Sequence, residues 1–188
     1  MSMGDMGPNW REVFINYAVT ARDAIGVAHT AMRSDDNQES DYLTEITYTR
    51  LLHRWNLPDA QANLWFVGGA GELRGTDREA DRHWSRMAVT PGVQVDYETT
   101  RVYLSALHRL YRASGINHDY TAVRAGFAFW EPHYEQTQPW LIVEARSMQD
   151  LSDRPEITPM LRLINRNYFI EAGANNFGQP RFNFMLIF

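Results

Sequence analysis

The 188-residue chain contains no cysteine, so disulfides, thiolate metal sites and a cysteine nucleophile are excluded. Lysine is absent too, and all 18 cations are arginine. A GC-biased genome explains that bias more simply than function does. Its physical consequence is that every phosphate or carboxylate contact must use the planar, bidentate guanidinium. No apolar run approaches the roughly 20 residues that a membrane-spanning helix needs, and no signal peptide opens the chain. A cytoplasmic chain that avoids membranes is therefore expected.

Chemical motifs are missing as well. The six histidines (His29, His53, His83, His108, His118, His133) form neither H-E-x-x-H nor an i, i+4 pair, so no metal site is expected. Asp77, Glu79 and Asp81 alternate with Arg78 and Arg82, the pattern of a solvated ion-pair face. Gly68-Gly-Ala-Gly71 fails the dinucleotide spacing because Arg74 stands where the third glycine belongs, and it reads as a helix cap and turn. With no G-x-S-x-G and no P-loop, neither catalytic residues nor cofactors are proposed.

What is present is 44% apolar residues, enough for one compact core, and a net charge of −5. That charge argues against a freely sliding nucleic-acid binder. Its distribution is uneven: residues 1–100 hold 9 arginines against 15 acids, and residues 101–188 hold 9 against 8. An anion site is expected in the second half.

Periodicity is read as helical along most of the chain. Trp10 to Arg33 shows a broad apolar face of Val13, Phe14, Tyr17, Ala21, Ala24, Ile25 and Ala28. Such a helix could join the core or dock on a neighbour. Further helices are expected at Tyr42–Trp55 and, behind Pro58, at Asp59–Val67. After a turn at Thr90-Pro-Gly92, Val93-Gln-Val95 reads as a short extended piece. Leu141–Leu151 and Met160–Asn167 read as helices again. The tail to Phe188 alternates apolar residues and needs something to cover it.

Two helices carry the functional reading. From Glu98 to Ser114, Arg101, Ser105, His108 and Arg112 recur at i, i+4, i+7 and i+11 and would lie on one line. The next, Asp119 to Glu131, carries Arg124 and the aromatics Phe127, Phe129 and Trp130, and Pro132 would stop it. Together they could floor a nucleic-acid strand or form an ordinary helix pair in a core.

Asp119-Tyr-Thr-Ala-Val-Arg-Ala-Gly-Phe-Ala-Phe-Trp-Glu131 resembles, without a gap, the D-Y-S-L-A-R-Y-A-F-D-F-Y-E block of flexuous filamentous plant-virus coat proteins. Upstream, Thr99-Thr-Arg-Val-Tyr-Leu-Ser-Ala-Leu-His108 is similar to their T-F-R-Q-I-M-H-H-F helix. Trp84-Ser-Arg-Met87 with Val93-Gln-Val95, and Leu57-Pro-Asp-Ala-Gln61, are similar to two further blocks in family order. The family's acidic residue is Ala128 here, and the connection between the two helices is shorter.

The resemblance implies a mainly α fold, with an N-terminal arm and helix (1–40), a helical core (41–155) and a C-terminal arm (156–188). It implies a non-enzymatic coat protein in a virion or host cytoplasm. Such a chain would polymerise with itself into a helical filament around single-stranded RNA. Arg101 would hold the RNA backbone, with Ser105, His108 and Arg112 extending the line. Arg124 would be a second backbone contact or the ion-pair partner of Glu131. The alternatives are a virion structural or adaptor protein that never touches RNA and, third, a small-molecule enzyme. Deleting 1–33 or 176–188 should stop long assembly, and Arg101→Ala should cost more RNA than Arg109→Ala.

Overall fold

A computed structural model describes residues 1–188 apart from 37, 78–81, 132, 134, 150 and 153, and apart from the side chains of Asp77 and Arg82. The expected ion-pair face over 77–82 and the stop at Pro132 therefore lie outside the described residues.

Thirteen strands and, among the described residues, no helix make up the chain. They are β1 (Ser2–Met6), β2 (Trp10–Ala18), β3 (Asp23–Arg33), β4 (Glu39–Asn56), β5 (Gln61–Asp77), β6 (Arg82–Val89) and β7 (Gly92–Glu98). The rest are β8 (Val102–Ala113), β9 (Ile116–Ala128), β10 (Gln138–Gln149), β11 (Glu156–Asn165), β12 (Tyr168–Ala174) and β13 (Pro180–Leu186). Every pairing is antiparallel, and β1 pairs with both β2 and β13, so the sheet closes on itself. Closure removes the unpaired edges that an open sheet would present.

β6 and β7 act as one wall strand. Both pair with β5 on one side and β8 on the other, in a register that runs through without a shift. Pro91 interrupts the ladder between them because it has no amide proton to donate. The barrel wall is thus twelve strands around.

The mainly α expectation is corrected throughout. Trp10–Arg33 is the β2–β3 hairpin, Tyr42–Trp55 lies in β4, and Asp59–Val67 leads into β5. Glu98–Ser114 is mostly β8, Asp119–Glu131 is mostly β9, Leu141–Leu151 is mostly β10, and Met160–Asn167 is mostly β11. All three expected chain segments contribute strands to the one sheet. The physical reason is visible in β10, where burial alternates residue by residue from Gln138 to Gln149. Period two is the strand repeat, and a mixture of apolar and charged residues on the buried face hid it.

Gly68-Gly-Ala-Gly71 is neither cap nor turn but the middle of β5. A Cβ at Gly69 would stand 2.3 Å from Glu45 Oε2, and one at Gly71 would stand 2.0 Å from the Thr44 carbonyl oxygen. The missing side chains let β4 and its inward Glu45 come close. Two-residue turns follow the usual chemistry: Gly115, between β8 and β9, takes φ of +77°.

The two ends of the barrel differ. One mouth carries both chain termini and residues 19–22, 57–60, 99–101, 129–131, 133, 135–137 and 166–167; it is called the terminal mouth. The other, the hairpin mouth, carries residues 7–9, 34–36, 38, 114–115, 151–152, 154–155 and 175–179.

Candidate functional site: the charged lumen

Inward and outward faces of the same strands have opposite chemistry. In β10 the outward residues are Leu141, Val143 and Ala145, and the inward ones between them are Ile142, Glu144 and Arg146. The outward apolar series continues around the wall with Val13, Ile15, Val27, Ile46, Met87, Val95, Leu104, Val123, Leu161, Ile170 and Phe182, all exposed. Ile46 and Met87 are 71% and 72% exposed, and a water-facing sheet has no reason to present such a belt. Strands β2 to β5 and β8 to β11 run 9–18 residues each. About 9–11 tilted residues suffice to cross a bilayer. Among the described residues no helix is long and apolar enough to cross a membrane, which says nothing of strands.

The lumen holds a belt of paired charges in two groups. In the first, Arg109 of β8 donates to Glu45 of β4 at 2.6 Å and to the Thr90 hydroxyl at 2.7 Å, and it meets Glu12 of β2 at 3.5 Å. Thr90 in turn donates to Glu45 at 2.5 Å. The second group spans β1 and β9 to β13. Glu144 accepts from Arg124 at 2.6 Å and from Arg181 at 2.8 Å, while Arg181 also reaches Asp5 at 2.7 Å. Glu171 accepts from Arg162 at 2.5 Å and Asn183 at 2.6 Å, and it faces Arg124 at 3.4 Å. Arg146 donates to Glu156 at 2.9 Å.

Five guanidiniums (Arg109, Arg124, Arg146, Arg162, Arg181) thus face six carboxylates (Asp5, Glu12, Glu45, Glu144, Glu156, Glu171), one net negative charge when all are ionised. Charges this deep persist only when paired, because removing an ion from water costs several kcal/mol. Arginine suits the task, since its fork can satisfy two carboxylates at once.

Access to the belt is partial, because over β9 to β11 the buried Ala128, Trp140, Ile142 and Met160 cover its terminal side. Glu12, Arg109, Arg124 and Asp5 keep 11–20% of their side-chain surface accessible. Toward the terminal mouth, the inward Asn16, Gly26, Thr49, Gln94 and Asp96 are only half-buried. Toward the hairpin mouth, access ends at an apolar plug of Trp10, Met32, Leu43, Leu73, Tyr111, Tyr120 and Met148, all buried. Trp10 of β2 lies 4.9 Å, centroid to centroid, from Tyr120 of β9, six strands away around a ring of twelve. It also lies 5.3 Å from Tyr111 in an edge-on arrangement. Opposite walls therefore touch, and the lumen is blind at that level.

Above the plug, the hairpin mouth is tied across. The Asp35 amide donates to the Leu151 carbonyl at 3.3 Å, and Ser152 Oγ donates to Asp35 Oδ2 at 3.0 Å. Asn9 Nδ2 donates to the other Asp35 oxygen. Beside this tie and outside the spanning strands, the Ser34 hydroxyl and the Gln38 amide hold the Asp36 carboxyl below the usual carboxylate range.

The residues expected to line one RNA-binding helix face are dispersed. Arg101 lies in the bend before β8, donating to the Ala128 and Phe129 carbonyls, and stacks over Phe127 at 5.0 Å. Ser105 points inward opposite Arg124 in register. His108 and Arg112 point outward, His108 beside Thr121 at 2.8 Å and Arg112 against Asp119 at 2.5 Å. Arg124 pairs with Glu144 and Glu171 rather than with Glu131. A spacing that makes one line on a helix scatters over both faces of a strand. Arg109, expected to matter less than Arg101, is the residue that joins β8 to β2 and β4. Sequence reading missed Glu12, Glu45, Glu144, Glu171, Arg162 and Arg181. Their one signal was charge at alternate positions beside apolar neighbours.

Two solved structures share the fold, one described as KdgM porin and the other as KdgM porin in complex with disordered oligogalacturonate. Both match over 100% of this chain and 97% of theirs, at 11% identity and TM-scores of 0.54 and 0.53. No family model matches the sequence, and no curated protein does. The closed barrel overturns the coat-protein reading, and with it the virion structural alternative, the RNA-bound filament, the virion or cytoplasmic location and the avoidance of membranes. Both neighbours are described as porins.

Proposed function

We propose that this chain is a porin-like β-barrel of an outer membrane, spanning the bilayer and offering small hydrophilic solutes a path along its charged lumen. The observation that carries this reading is the two-faced wall: an apolar belt outside, paired ions inside, and no free sheet edge. In a hydrocarbon layer each unsatisfied backbone group costs several kcal/mol, and a closed barrel is one of two structures that leave none. Oligogalacturonate, a polyanion, occupies one of the neighbours. Here the guanidiniums are already matched by carboxylates, so the lumen favours small solutes of little net charge over a polyanion.

The test is refolding into lipid vesicles followed by planar-bilayer recording. Insertion with discrete conductance steps and weak ion selectivity is the expected result. A chain that stays monomeric in water, without detergent or lipid, contradicts the proposal.

A further inference from the structure

Resting on that channel reading, we infer that the hairpin mouth is the gate of the passage, with Asp35 as its latch and Trp10 as its plug. Three observations converge on it. Glu12, Arg109, Arg124 and Asp5 of the belt keep some solvent access, whereas Trp10 and the plug residues packed with it on the hairpin side are buried. The seal is made by side chains meeting across the lumen, Trp10 against Tyr111 and Tyr120, not by the ladder bonds of the wall. Over it, Asp35 gathers three contacts from two other connections: the Asn9 side chain from that between β1 and β2, and the Leu151 carbonyl and Ser152 hydroxyl from that between β10 and β11.

Asp35 and Ser152 belong to connections five to six strands apart around the ring, so their bond spans the mouth. Breaking it leaves every strand pairing intact. Leu151, 4% exposed, belongs to the same apolar plug as Trp10 and is carried by the latched segment. Releasing Asp35 therefore frees Leu151 to withdraw, which loosens the packing that holds Trp10 across the lumen. The gate opens by side-chain and turn movement within a fixed wall.

The experiment is planar-bilayer recording of wild type, Asp35→Ala, Trp10→Ala and the pair Asp35→Cys/Ser152→Cys. Because the chain has no cysteine, the pair introduces a single possible disulfide. Wild type is expected to be mostly closed, and Asp35→Ala to raise the open fraction about tenfold, the effect of losing one or two hydrogen bonds. The oxidised pair is expected to be silent and to open on reduction, which shows within one folded protein that the latch controls the passage. Equal conductance of wild type, Asp35→Ala and the pair in both redox states overturns the gate and leaves the channel reading standing. Opening by Trp10→Ala alone overturns the latch. Silence of all four after lipid insertion is verified overturns the gate and the channel reading together.

Discussion

Val143 and Glu144 are neighbours in β10 and live in opposite solvents. Val143 is 41% exposed on the outer belt; Glu144 is 0% exposed between Arg124 and Arg181. Only the half-turn of the strand separates them. The lesson is that burial here runs backwards from a water-soluble domain. Large aliphatic side chains face outward, where on the proposed reading hydrocarbon replaces a core, and the ions face inward, where only their mutual pairing makes them tolerable.

The largest way to break that contrast is to unpair an ion. Glu144→Ala removes a carboxylate shared by two guanidiniums, and it is expected to cost about 3–5 kcal/mol, read as a lowered urea midpoint for unfolding from lipid. Next in size is Val143→Arg, which puts a charge on the lipid face. The expected cost is about 2–4 kcal/mol near the middle of the bilayer, and the same measurement shows it. A smaller effect follows from Gly71→Ala, whose Cβ would press on the Thr44 carbonyl and push β4 from β5. Overpacking of that kind costs about 1–3 kcal/mol, and the barrel should melt at a lower temperature. At the bottom is Arg74→Ala. Arg74 meets Glu72 at 2.8 Å on the exposed outer face, and its loss is expected to leave the urea midpoint unchanged within error.

Part of this was legible in the sequence. The missing cysteine, the all-arginine cations and the basic second half were correct observations, and three of the four arginines of the larger ion group at β9 to β11 and β13 lie between 124 and 162. The alternation of the tail was noticed, and it is β13. What failed was the period. Arg101, Ser105, His108 and Arg112 matched a helical stripe by spacing alone, although two of them face outward in β8. β10 hid its alternation because its inward set mixes Trp140, Ile142 and Met148 with Glu144 and Arg146. An inward face that is half apolar and half ionic leaves no binary pattern, and barrel strands give a weaker signal per segment than membrane helices. The resemblance to Asp119–Glu131 had the same weakness, because regularly spaced aromatics with one arginine also suit a strand with Phe127 out and Arg124 in. The lumen itself was beyond reach. Arg109, Glu12 and Glu45 lie on three strands far apart in sequence, and only closure of the sheet brings them together.

The central claim, an outer face in lipid and an inner face in a paired-ion lumen, is tested most directly by a single-cysteine spin-label scan from Leu141 to Ser147 in vesicles. The chain has no cysteine of its own, so each label reports one position. Collision with oxygen, which partitions into hydrocarbon, is compared with collision with a water-soluble nickel chelate. The expected result has period two: oxygen reaches labels at 141, 143 and 145, and neither reagent reaches 142, 144 and 146 as readily. Dominant nickel access at 141, 143 and 145 would place the outer face in water and contradict the membrane-spanning barrel.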